Sequence, residues 1–225
     1  HLMSYILHLD TSTKVCSVAI SENGKTLAFK ESKDDKYSHG ENLTLFIQEV
    51  IVAAGITMNK LSAVSLASGP GSYTGLRIGA STAKGICYAM KIPLIAIDSL
   101  RCIIEIAAEK HPNKNLCAVI DARRMEVYNL IVNADKTSLK EISADIIDEN
   151  TYNEYTPFVY FGDGSAKLEP IWTGQDKVID TSIYNSAVGQ AALSYEMFLK
   201  EDFVDVAYWE PFYLKDFIAG VKKPK

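Results

Sequence analysis

LHLDTSTKVCSVAIS, residues 7 to 21, reads as a strand ending on Asp10, a polar turn from Thr11 to Lys14, and an alternating return strand. AVIDARRMEVYNLIVN, residues 118 to 133, repeats that plan around Asp121. A second pair supports the repeat. SLASGPGSYTG, residues 65 to 75, and VYFGDGSAK, residues 159 to 167, each read as a strand, a glycine turn carrying a serine, and a following helix. A plan used twice along one chain implies two lobes, with Asp10 and Asp121 in equivalent positions. The expected lobes are residues 3–100 and 101–225, each a βββαβα-type α/β unit with a mixed sheet.

Working outward, Asn23-Gly24 is a type I′ hairpin signal leading into TLAFKES, so the chain opens with three strands. Leu43, Phe46, Ile47, Val50, Ile51 and Ala54 then fall at helical spacing, with Ser38 as candidate N-cap and Gly55 closing the end. AVSLAS reads as a buried strand. A helix from about Leu76 to Met90, the strand PLIAID and a helix from about Leu100 to Lys110 complete the alternation that makes a largely parallel sheet. Near the end, Ala187, Val188, Ala191, Ala192, Tyr195, Phe198 and Leu199 predict a helix over 187–200 capped by Ser186. The aromatic stretch YWEPFYLKDF, residues 208 to 217, is expected to pack back on the core, because basic residues are not interleaved as in a base-stacking platform.

The 225 residues are 48% hydrophobic and 23% charged, an ordinary globular balance. A formal net charge of -5 argues against holding nucleic acid by the chain's own field, and the basic tail Lys222, Lys223, Lys225 is read as a solvated terminus. Met3 is the expected start, with His1 and Leu2 foreign to the natural chain. No basic-plus-apolar leader follows it, and no eighteen apolar residues run together, so a cytoplasmic protein with no membrane span is expected. Cys16, Cys87, Cys102 and Cys117 show no metal-ligand spacing and are read as reduced core thiols.

SGPGSYTGLRIG, residues 68 to 79, invites a phosphate-loop reading, since amides at a helix N-terminus bind anions. A P-loop also needs a lysine for the outer phosphates and a hydroxyl for Mg²⁺ after its last glycine. Gly75 is followed by Leu76 and Arg77, so the stretch is read as a structural turn. Gly69, Pro70, Gly71 and Gly75 shape it, and Ser72 or Thr74 caps the helix. Gly79 and Gly85 inside that helix each cost about 1 kcal/mol relative to alanine. With Ala83, Gly79 forms a small-residue strip that the sheet or another helix approaches closely.

Asp10-Thr11-Ser12-Thr13 has the form of the first phosphate-binding hairpin of actin-like ATPases, where the carboxylate holds Mg²⁺ through water. The second turn, Asp121-Ala122-Arg123-Arg124, lacks the glycine that would bring backbone close to phosphate. Arg123 could contact an anion or belong to a solvated turn. These residues make a degenerate nucleotide cleft that could hold ATP or ADP, with no cofactor required. His39 has Leu43 four residues on, so no histidine pair is available for a metal, and no catalytic residue is assigned. On the first helix, Leu45 and Val52 fall opposite the core stripe and point to a partner surface shared with Gly79 and Ala83 of the next helix.

LDTST, SHGENL, SGPGSYTGLRIG, IDARRMEVY and PFYLK together resemble the TsaB (YeaZ) family over essentially the whole chain. The resemblance implies an actin-like ATPase (ribonuclease H-like) fold and a part in making N6-threonylcarbamoyladenosine at position 37 of tRNAs reading ANN codons. It further implies a non-catalytic partner that binds and organises TsaD, joined by the ATPase TsaE, that self-associates as a homodimer when alone and meets tRNA only indirectly. The related TsaD proteins carry a His-x-x-x-His pair where this chain has His39 and Leu43.

Overall fold

The computed structural model describes residues 3–33 and 39–214. Its opening strands are β1 (Tyr5–Asp10), β2 (Cys16–Glu22) and β3 (Lys25–Ser32), joined as antiparallel hairpins. Asn23 and Gly24 both take positive φ, as a type I′ turn demands. Helix α1 (His39–Ala53) follows, and Gly55 with φ +67° ends it, the Ile56 amide reaching back to the Ile51 carbonyl. The Ser38 cap lies outside the described residues.

β4 (Leu61–Ala67), α2 (Tyr73–Met90), β5 (Leu94–Ile97) and α3 (Ser99–Lys110) complete the first half. β4 pairs parallel with β1, and β5 parallel with β4, giving the order β3-β2-β1-β4-β5. The second half builds the same sheet. β6 (Asn115–Asp121), β7 (Glu126–Val132), β8 (Ser138–Ile146), β9 (Phe158–Phe161) and β10 (Lys177–Ile179) lie in the order β8-β7-β6-β9-β10, with the same mixture of antiparallel and parallel pairs. Two mixed sheets of one topology make the two lobes that the repeat implied and the actin-like (ribonuclease H-like) α/β fold that the family resemblance implied.

The second lobe departs from the repeat in one respect. After Gly162-Asp163-Gly164-Ser165 the chain makes successive turns instead of a helix. Pro170 sits five residues past Ser165, beyond the first turn of a helix starting there, where it lacks the amide that would bond back to that turn. Leu168 and Trp172 fall from these turns into an aromatic core with Tyr152, Phe158 and Tyr160. β8 carries too mixed a sequence to show strand alternation and emerges only from its pairing with β7.

The predicted helix over 187–200 begins as a 3₁₀ turn, Ala187–Gln190, capped by Ser186, and continues as α4 (Ala191–Leu199). Its buried side is Ala191 and Ser194, while Ala192 and Leu199 face solvent. This element lies on the first sheet, against β1 and β5, whereas α3 packs on β6 and β7 of the second. α1 and α2 cover the other face of the first sheet. The two lobes are therefore laced together by helices that each half lends to the seam between them.

Candidate functional site: the paired turns and the outer helices

At the end of β1 the turn Thr11–Thr13 is sealed. All three residues, and Asp10, are at most 4% exposed. The Ser12 amide and hydroxyl both donate to Asp10 Oδ1, at 3.0 and 2.6 Å. Thr11 Oγ1 donates to the Gly75 carbonyl at 2.7 Å, and Thr13 Oγ1 accepts from the Val15 amide at 3.2 Å. Groups that would face phosphate in an actin-like cleft are thus turned to internal partners.

The seal is α2. Ser72 caps it by accepting from the Gly75 amide, and the Ser72 amide donates to the Ser12 carbonyl at 2.7 Å. Gly71, Gly75 and Gly79, four residues apart on one side, lie so close to the turn that a β-carbon would collide with Ser12 O, Thr11 O and Thr11 Oγ1 respectively. The sheet is therefore what approaches Gly79. Ala83, also fully buried, joins the core of the first lobe, so neither residue reaches an outer surface. Of the α2 glycines the open one is Gly85, which has nothing within 4 Å of its β-carbon position.

Asp10 Oδ2 is buried without a hydrogen-bond partner. Desolvation, together with the charges of Glu31 and Asp163, lifts this carboxyl to about 6. In the second lobe Asp121 is exposed; its carboxylate accepts from the Arg123 amide at 3.0 Å and pairs with Lys167. Arg123 and Arg124 both adopt positive φ, the conformation for which glycine would be the easy choice. Asp163 accepts from the Asp121 amide at 2.8 Å, and burial raises its carboxyl to about 6. The repeat's two aspartates occupy matching strand ends with opposite environments, one buried and one solvated.

His39 is buried, its Nε2 2.8 Å from the Thr13 carbonyl, and Leu43 beside it is core. Among the described residues no cluster of histidine, cysteine or acid groups is arranged to hold a metal. All four cysteines are buried and unbridged, their thiols pushed up by burial. No helix among the described residues is long and apolar enough to cross a membrane.

The outer side of α1 carries Leu45 at 50% and Val52 at 78% exposure, two turns apart, as its spacing predicted. On α2 the exposed aromatic is Tyr88. Residues 203–214 run as a strap along the first lobe, with Trp209 packed against its core and Tyr213 against Tyr73 at 4.8 Å, as expected of the aromatic stretch, whose residues 215–217 lie outside the described residues. Two features escaped the sequence reading. Asp98 caps α3 through the Leu100 and Arg101 amides, at 2.8 and 3.1 Å. Glu31 gathers hydrogen bonds from Ser17, Tyr184 and Ser186 at the seam. Asp98 stood two residues ahead of the predicted helix start, a readable cap signal; the Glu31 cluster depends on contacts distant in sequence.

Residues 34–206 match the family profile of TsaD, tRNA N6-adenosine threonylcarbamoyltransferase. The chain is 26% identical to the tRNA threonylcarbamoyladenosine biosynthesis protein TsaB of Haemophilus influenzae, over 97% of both chains. It is 27% identical to the Escherichia coli protein of the same name, over 97% of this chain and 98% of that one. The solved structure of YeaZ from Pseudomonas aeruginosa superposes with a TM-score of 0.80 at 23% identity, covering 94% of this chain and 100% of the other, which shows a shared fold. The chain belongs to the family described as TsaD, tRNA N6-adenosine threonylcarbamoyltransferase, and within it to the TsaB (YeaZ) members.

Proposed function

We propose that this protein is a non-catalytic subunit in the synthesis of N6-threonylcarbamoyladenosine on tRNA, acting by docking a TsaD-type protein through the outer face of its first lobe. The observation that carries this reading is the sealed Thr11–Thr13 turn: its hydroxyls are spent internally and α2 stands against it, while α1 leaves Leu45 and Val52 exposed. With those groups turned to internal partners, this reading assigns the chain no nucleotide of its own. The relatives' names supply the modification.

The finer expectations belong to the same reading. A TsaE-type ATPase joins the pair, the modified nucleoside is position 37 of tRNAs reading ANN codons, and tRNA contacts are made through the partner. Without TsaD the same face closes a homodimer, in the cytoplasm. The docking helices belong to lobe one, which is built on residues 3–100 and on the 187–199 element and strap that pack back on it.

Sedimentation of the chain mixed with its cognate TsaD-type protein tests the docking. Leu45→Glu with Val52→Glu is expected to weaken association about a hundredfold by placing charges in an apolar contact, with the monomer still folded. Unchanged association overturns the face. The competing reading is an independent actin-fold ATPase or kinase using Asp10 and Asp121; Mg²⁺-dependent ATP turnover by the chain alone, abolished by Asp10→Asn, would establish it.

A further inference from the structure

The turn Ser68–Ser72 that launches α2 is held from three directions. Beneath it lies the Thr11–Thr13 turn, through the Ser72 amide and the Ser12 carbonyl. Beside it is the start of α3, where the Gly69 amide donates to Ser99 Oγ at 2.9 Å and the Ser99 amide donates to the Gly69 carbonyl at 2.8 Å. Above it runs the strap, whose Phe212 amide donates to the Ser68 carbonyl at 2.8 Å. Gly69 has φ +110°, and a β-carbon there would collide with the Phe212 carbonyl. The closeness of strap and turn leaves no room for a side chain between them.

The strap is anchored on both lobes, and one turn of it stands off α2. At its start the Val204 amide pairs with the Leu94 carbonyl on edge strand β5, and Val206 and Trp209 pack on the first lobe's core. At its finish Tyr213 stacks on Tyr73, over which Arg77 lies at 5.5 Å, and Leu214 packs on the second lobe's core. The turn at Asp205–Ala207, closed by the Ala207 and Tyr208 amides on Asp205 Oδ1, lines a groove of about 550 Å³ with Lys84, Gly85 and Tyr88 of α2. The polar link across it is Lys84 Nζ to the Ala207 carbonyl, at 3.4 Å. A segment anchored so can release its Phe212–Leu214 end without unfolding either core.

We propose that residues 203–214 are a latch whose seating on the Ser68–Ser72 turn orders the first turn of α2, so that releasing the latch loosens the helix beside the docking face. The latch couples the second lobe, through Leu214, to the helix pair of the first lobe. Its consequence for partner binding rests on the docking reading above; its effect on α2 does not.

Amide hydrogen exchange of the isolated chain tests it, with Tyr213→Ala/Leu214→Ala to release the aromatic and apolar anchors and Phe212→Pro to delete the donor to Ser68. Protection is expected to fall about tenfold in residues 203–214 and, in parallel, in residues 72–78, while α1 keeps its wild-type protection. Exposed strap amides with residues 72–78 still fully protected would overturn the latch, as would wild-type protection of the strap in both variants. Association with the TsaD-type protein should weaken in the same variants. Leu45→Glu/Val52→Glu leaves exchange at 72–78 unchanged, so failure of the docking face and failure of the latch give different results.

Discussion

Thr11 Oγ1 donates to the Gly75 carbonyl, and one turn further along α2 the bare Cα of Gly79 sits against the same side chain. Helix propensity alone would favour alanine at either glycine by about 1 kcal/mol. Here a β-carbon collides with Thr11, so Gly75→Ala and Gly79→Ala are expected to destabilise by about 2 kcal/mol or more through overpacking. Gly85→Ala, in the same helix with open space around it, should instead stabilise by about 1 kcal/mol. Urea denaturation of the three variants gives the comparison; equal effects at all three positions would refute a close-packed turn.

The Asp10 carboxyl gives the second prediction. Its folded pKa of about 6 lies above the ordinary 3.8 because burial disfavours the charged form. Between these values the folded state binds more protons than the unfolded, so this group's contribution to stability falls as pH rises from about 4 through about 6. Asp10→Asn removes that dependence. Relative to wild type, the variant should gain stability as pH increases across the window, by at most about 3 kcal/mol. A wild-type-to-variant difference independent of pH would show that Asp10 finds a partner for its second oxygen.

Glu31 gives a prediction about the seam. Ser17, Ser186 and Tyr184 all donate to its carboxylate, at 3.1, 2.8 and 2.6 Å, so it ties β2 to the approach of the Ala187–Gln190 turn. Glu31→Ala leaves three hydroxyls seeking water and should cost about 2 kcal/mol. Exchange of the 187–190 amides should rise with it, whereas amides of β7 should not. Loss confined to global stability, with no local change at 187–190, would deny Glu31 its place in the seam.

These relationships explain what was legible in the residues. Period-two and period-3.6 patterns depend on neighbours in sequence, so both hairpins, α1, α2 and the exposed pair Leu45 and Val52 could be read directly. The need for something to approach Gly79 was also readable. Its identity was not, because Thr11 lies across the sheet, and the reading placed Gly79 and Ala83 at an outer surface that they do not reach. Likewise an apolar stripe on residues 187–199 says that a face is buried without saying which sheet buries it. The helix expected after Ser165 had a local warning in Pro170, which the repeat with the first lobe outweighed.

His8 carries the last prediction, with a sign opposite to that of Asp10. The side chain is fully buried in β1, Nε2 2.7 Å from Ser21 Oγ, and desolvation lowers its pKa from 6.5 to about 3. Between those values the unfolded chain binds the proton and the folded one does not, so stability from this residue is full above about 6.5 and is lost as pH falls toward 3. His8→Gln keeps a polar group for Ser21 and cannot take the proton, so its stability relative to wild type should rise as pH is lowered through that window. The windows of His8 and Asp10 overlap between about 4 and 6, where their slopes oppose. The two single variants should unmask slopes of opposite sign, measured by denaturant titration at successive pH values. Parallel pH profiles for His8→Gln and Asp10→Asn would contradict the assignment of a neutral buried histidine beside a raised buried acid.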